Sequence, residues 1–150
     1  MTPADVKALW YRHAVAENAR HLEDLVATLT EDCAYEVVPW GLSYRGKDEA
    51  RRFYRELWAA IPDVKLRLMR HVIDEHCLVE ESVVYGTHQG GWVGLPASGN
   101  YVEFPLVIFF PVANGLFTGE RLYFDGASVL RQIGAPQEMV LRGKPVTAIG

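Results

Sequence analysis

An apolar, aromatic strand, Gly119-Glu-Arg-Leu-Tyr-Phe-Asp125, ends on a carboxylate, and Gly126-Ala-Ser-Val-Leu-Arg-Gln-Ile-Gly134 follows as a short helix with a stop glycine. Strand alternation puts Arg121, Tyr123 and Asp125 on one face, with Glu120, Leu122 and Phe124 on the other. A carboxylate beside a phenol in an apolar pocket is pushed towards higher pKa. That suits proton abstraction or donation near neutral pH, although Arg121 would pull the other way. Asp125 also fits an N-cap accepting backbone N–H bonds from the following helix. Spacing leaves both readings open.

His88 is the second candidate, late on a strand in Gly86-Thr-His88-Gln-Gly-Gly. An imidazole there can shuttle a proton or donate a hydrogen bond to a developing enolate; it also reads as a polar strand end. His13 lies beside apolar helix positions, within reach of a pocket. Glu80 and Glu81 fall mid-strand on opposite faces; the inward one, taken as Glu81, needs a cationic partner or serves as a second acid. The chain carries four Trp, seven Tyr and six Phe, enough to line a hollow as well as fill a core. Trp40, Phe53, Trp58 and Trp92 are the residues expected to shape it. No serine or cysteine sits in a nucleophile elbow, no histidine pair has metal-ligand spacing, and no glycine-rich fingerprint follows a strand. Covalent acyl transfer, metal chemistry and dinucleotide binding therefore find no support, and no cofactor is expected.

Composition sets the scaffold. A chain of 150 residues, 49% of them apolar, suits one domain with its own core. The formal net charge is -4, and no Lys/Arg run is dense enough to track a phosphate backbone, so nucleic acid is not an expected partner. No apolar run approaches the roughly 18 residues of a membrane span, and no signal-peptide pattern stands at the N-terminus, so a cytoplasmic protein is expected. Cys33 and Cys77 then read as reduced, buried small residues.

Thr2-Pro3-Ala4-Asp5 opens a helix carrying Val6, Leu9, Trp10 and His13. A second apolar stripe runs from Leu22 to Leu29. A short strand covers 33–38, and a helix spans Lys47 to Ala60, stopped by Ile61-Pro62. Strands follow at 64–73, 77–89, 101–111 and 116–124, the last two joined by the hairpin signal Asn114-Gly115. Residues 135–150 read as an irregular tail behind a domain of residues 1–134. Helices first and a strand meander after them make an α+β domain, its curved sheet covered by the helices. Pro105 and Gly90-Gly91 are candidate bend points.

Taken in order, several pieces resemble the SnoaL-like polyketide cyclase branch of the NTF2-like superfamily. They are Tyr35-Glu-Val-Val-Pro39-Trp, Tyr44-Arg-Gly46 before a helix with Phe53-Tyr54, Ile61-Pro62-Asp63, Glu81 then Gly86-Thr-His88-Gln-Gly90, Ser98-Gly99, Asn114-Gly115, and Glu120 to Asp125 ahead of Leu130-Arg-Gln132-Ile-Gly134. The resemblance implies a cone-shaped fold and cofactor-free, metal-free acid/base catalysis. Ring closure by aldol condensation or an isomerisation would act on a small apolar, carbonyl-containing or aromatic molecule, with the family aspartate matched by Asp125. It implies a homodimer through the open sheet face. Two departures stand beside it: the strand 101–111 has no histidine to assist the aspartate, and the tail has no counterpart. A non-catalytic hydrophobic binding protein of the same fold is the alternative.

Overall fold

A computed structural model describes residues 1–146. Helix α1 (Pro3–Asn18) starts at a reciprocal cap: the Thr2 hydroxyl accepts from the Asp5 amide at 3.2 Å, and the Asp5 carboxylate accepts from the Thr2 amide at 2.8 Å. Its buried stripe is Val6, Leu9, His13 and Ala16, a helical recurrence that includes one imidazole. Helix α2 is only Leu22–Val26, and strand β1 (Leu29–Val37) begins before the expected Cys33. The apolar stripe from Leu22 to Leu29 thus divides between two elements, because Leu29 is needed in the sheet opposite Phe117. A single 3-10 turn at Val38–Trp40 and strand β2 (Leu42–Arg45) lead to helix α3 (Lys47–Ala60), which ends where proline follows Ile61.

Strands β3 (Lys65–Ile73), β4 (Cys77–Thr87), β5 (Tyr101–Ala113) and β6 (Leu116–Tyr123) complete a six-stranded sheet in the order β2-β1-β6-β5-β4-β3. All neighbours are antiparallel except β1 and β6, which run parallel, so the sheet is mixed. The α+β architecture expected from the element order is the one observed, and the sheet is curved and unclosed. Alternation along β5 turns Val102, Phe104, Leu106, Ile108 and Phe110 towards the helices. The other face leaves Val72, Phe109 and Tyr123 substantially exposed.

Two further features differ from the sequence reading. Helix α4 (Gly126–Gln132) is followed by α5 (Gln137–Arg142), inside the segment expected to be irregular. Pro136 stands at its N-cap and Gly143 closes it in the left-handed region, while Met139 and Val140 pack on the core. The last residues of that tail, 147–150, lie outside the described residues. Second, strand β6 changes phase. Phe117 faces the core, and so do Glu120 and Leu122, a three-residue step that pure alternation forbids. The register with β5 shows the cause: Phe109 pairs with Arg121 but Val112 with Phe117, so β6 carries one extra residue there.

Gly119 sits at that bulge with φ +121°, opposite Ala34 of β1. A Cβ at this position would lie 1.9 Å from the Ala34 carbonyl oxygen. Gly119→Ala therefore has to disrupt the β1–β6 pairing and is expected to lose about 2–4 kcal/mol in urea unfolding. Gly115→Ala, in the hairpin turn at φ +77° with open space around it, should lose only about 1–2 kcal/mol.

Candidate active site: a carboxylate–imidazole pair beside an apolar hollow

Between the helices and the concave face of the sheet lies a cavity of about 70 Å³. Its wall is largely carbon, with Trp40, Phe53, Trp92, Phe104 and Phe124 among its rings. Trp40 packs edge-on against both Trp92 and Phe124, with ring centres 5.2 and 5.0 Å away. At Leu42, Tyr44, Trp92 and Val93 the cavity adjoins a surface groove. Two carboxylates, Glu17 and Glu120, interrupt the inner apolar lining, and Glu56 stands at the groove side, accepting from the Tyr44 hydroxyl at 3.0 Å.

Glu120 is brought inward by the bulge on β6 and is 4% exposed. His13 of α1 reaches it from the opposite layer: Nε2 lies 3.1 Å from Glu120 Oε1. Tyr54 of α3 donates to the same oxygen at 2.8 Å, and the Tyr35 hydroxyl of β1 stands 2.9 Å from that of Tyr54. Oε1 is thus doubly engaged, while among the described residues Oε2 accepts from none. The imidazole is packed between Phe110 and Phe117, with ring centres at 5.6 and 5.8 Å.

The electrostatics follow from burial and from the crowd of acids. Burial disfavours a charged His13, but the hydrogen bond and charge of Glu120, with Glu17 and Glu80 nearby, win and raise its pKa. Burial and the Glu120 carboxylate lift Tyr54 and Tyr35 well above the ordinary phenol range, so both remain hydrogen-bond donors. Glu17, one helical turn beyond His13, is pushed up to about 8 by burial and by Glu120, against the pull of His13. Glu80 is also raised, chiefly by burial, and accepts from Ser82 Oγ at 2.7 Å. Near neutral pH the half-buried Glu17 is thereby biased towards its protonated form, beside the His13–Glu120 contact.

The structure redistributes the residues singled out by sequence. Trp40, Phe53 and Trp92 line the cavity, and His13 lies behind it in contact with Glu120. Trp58 does not line it; its ring stacks on Tyr54 and lies under the Arg20 guanidinium, at 5.4 and 4.9 Å. The face carrying Arg121, Tyr123 and Asp125 turns outward. Arg121 pairs with Glu36 there and donates to the Tyr123 hydroxyl. Asp125 is exposed and caps α4, accepting from the Ser128 amide at 3.0 Å. The inward acid of the Glu80-Glu81 pair is Glu80; Glu81 points away and meets Arg70 at 3.4 Å. His88 is fully buried, but Nδ1 accepts from the Ser98 amide at 3.2 Å and lies 2.9 Å from its hydroxyl. Burial depresses its pKa, with the Gly90 backbone opposing, and the ring is tied through Ser98 to the loop that carries Trp92. Sequence reasoning missed Glu120, Glu17, Tyr54 and Tyr35. A signal for Glu120 existed: it shares alternation with the apolar Leu122 and Phe124.

Among the described residues no cluster of three His, Cys, Asp or Glu is placed to hold a metal ion, and no helix is long and apolar enough to cross a membrane. The raised Glu17 pKa has a sign for stability. Between its ordinary 4.5 and about 8 the folded state holds a proton that the unfolded state has released, so stability falls as pH rises through that window. His13, also raised, acts in the same direction: its contribution is complete below the ordinary 6.5 and is lost as pH climbs through the folded value. In melting scans from about pH 5 to pH 9, Glu17→Gln should flatten the wild-type decline. An unchanged slope would remove Glu17 from the buried site.

The family model for SnoaL-like polyketide cyclases matches residues 6–133. Solved structures agree in fold. A provisionally assigned SnoaL-like polyketide cyclase from Jannaschia sp. CCS1 is 20% identical with TM-score 0.81, over 91% of this chain and 95% of its own. TsrD from Streptomyces laurentii is 25% identical with TM-score 0.78, over 91% and 99%. A provisionally assigned ketosteroid isomerase from Kribbella flavida DSM 17836 is 21% identical with TM-score 0.64, over 83% and 81%. No curated protein matches the chain. With the match running through both helical and sheet layers, this chain belongs to the SnoaL-like polyketide cyclase family.

Proposed function

We propose that the cavity is the active site of an acid/base enzyme, cyclase- or isomerase-like, that moves a proton at carbon next to a carbonyl of a small apolar substrate. The carrying observation is Glu120. It borders an apolar hollow with Oε1 engaged by His13 and Tyr54 and Oε2 without a partner among the described residues. Oε2 takes the proton from carbon, and the electron pair of the C–H bond passes into an enolate. Glu17, neutral near pH 7, donates a hydrogen bond to the enolate oxygen, where developing charge gains most in an apolar site. In a cyclisation the enolate carbon then attacks a second carbonyl of the same molecule, and the new alkoxide takes up a proton. In an isomerisation Glu120 returns the proton to a different carbon. The family membership and the cyclase and isomerase assignments of structural neighbours support this class of reaction.

A purely hydrophobic binding protein would need only the carbon wall. Glu120, His13 and Tyr54, all buried, and the half-buried Glu17 converge on one side and favour chemistry, since burying polar groups carries a desolvation cost that packing alone does not require. The hollow, at about 70 Å³, is tight for a fused-ring substrate, and Trp92 and Val93 stand where it adjoins the groove. Aromatic ketones and esters would first be screened by ligand-induced rise in melting temperature. Binders would then be followed by NMR for exchange of the proton next to the carbonyl into deuterated water. Glu120→Gln is expected to slow exchange by about 10²–10⁴-fold. Asp125→Asn should leave it within a few-fold, and Asp125→Ala should cost about 1 kcal/mol of stability through loss of the cap. Exchange that survives in Glu120→Gln and vanishes in Asp125→Asn would reverse the assignment.

A further inference from the structure

His13 has a second contact that the acid/base reading does not use. Its Nδ1 lies 2.7 Å from Oγ1 of Thr28, which is 3% exposed in the turn between α2 and β1. That hydroxyl is already committed as a donor, to the Leu25 carbonyl at 2.6 Å. A hydroxyl has a single proton, so towards His13 it can only accept, and Nδ1 must carry the hydrogen between them. The other nitrogen, Nε2, faces Glu120 Oε1 at 3.1 Å and the Tyr54 hydroxyl at 3.2 Å. Glu17 on the same helix and Glu80 on β4 are the remaining titratable groups acting on the ring.

We propose that Thr28 is a positioning residue that locks His13 in the form protonated on Nδ1, so that only Nε2 gains and loses a proton. This rests on the acid/base reading for its functional meaning: it makes the Glu120 side of the ring the single port for proton exchange. In the protonated ring Nε2–H donates to Glu120; in the neutral ring Nε2 accepts, and the proton resides with Glu120. One proton then moves along one hydrogen bond, without rotation of the imidazole. Without the lock, a neutral ring could place its hydrogen on Nε2 and its lone pair towards Thr28, which would leave Nε2 unable to accept.

Thr28→Val is close to isosteric, and the surrounding backbone keeps its partners. The Leu25 carbonyl retains the Thr28 amide at 3.0 Å, and the Thr28 carbonyl retains the Phe117 amide at 2.9 Å. The losses are the hydroxyl's own donation to the Leu25 carbonyl, which keeps the amide, and the acceptor for Nδ1–H; Thr28→Ser restores both. The test is nitrogen-15 NMR of the histidine rings across pH, with His13 assigned by its disappearance in His13→Gln. In the wild-type protein Nδ1 should keep its proton throughout, with titration confined to Nε2. Thr28→Val should lose that pattern and show hydrogen on both nitrogens of the neutral ring, and Thr28→Ser should recover it. On a substrate that exchanges, Thr28→Val should lower kcat by roughly 10–100-fold with little change in KM. A wild-type neutral ring protonated on Nε2 overturns the lock even if the valine variant fails to fold. So does a valine variant with the wild-type pattern. The ring measurement needs no turnover, so failure of the acid/base reading would show in the exchange assay while the tautomer result stands by itself.

Discussion

One buried hydrogen bond, His13 to Glu120, ties the two layers of this protein together. An ionised carboxylate in an apolar interior is very unfavourable when alone, and a buried imidazolium is no better. Held 3.1 Å apart, each offsets the other's desolvation, and Tyr54 adds a second donor to the same oxygen. Removing either partner would leave the other stranded, so the helices and the sheet are constrained to meet at this point. Helix α1 contributes the imidazole from its buried stripe, α3 contributes Tyr54, and β6 has to bring a carboxylate to the face already held by Phe117 three residues earlier, which regular alternation does not allow.

The bulge at Gly119 resolves that last conflict. One inserted residue in β6 lets Phe117 and Glu120 both face inward, and a glycine is required because β1 passes within contact distance. The same inversion leaves Arg121, Tyr123 and Asp125 on the outside, where an ion pair, a hydroxyl contact and a helix cap suffice for them. The hollow that results is asymmetric: rings form most of its wall, and on the acid side Glu120 Oε2 has no partner among the described residues.

Much of the fold was legible in the sequence. The Thr2 cap, the Lys47–Ala60 helix with its proline stop and the Asn114-Gly115 hairpin carry local signals strong enough to place their elements. The parallel pairing of β1 and β6 carries none, because it joins segments far apart in the chain. The ordered motifs identified the family correctly, and three of the four expected pocket aromatics line the cavity. Reading β6 as an unbroken strand correctly separated its two faces, but the face it favoured for chemistry, with Asp125, turns out to point to solvent. A bulge leaves only a glycine as its mark, and Gly119 alone does not announce a change of phase. His13 was named as a pocket candidate, yet its partners could not be, since Thr28, Tyr54 and Glu120 are brought to it by tertiary packing alone.

The central claim is that Glu120, not Asp125, meets the reacting part of the substrate. The most direct measurement is a crystal structure with 2-naphthol, a flat apolar molecule whose phenolic oxygen imitates an enolate. The account predicts its rings among Trp40, Trp92 and Phe104 and its oxygen within hydrogen-bonding distance of Glu120 Oε2 or Glu17. Naphthol seated in the hollow with its oxygen turned away from both acids, or bound on the outer face beside Tyr123 and Asp125, would contradict it.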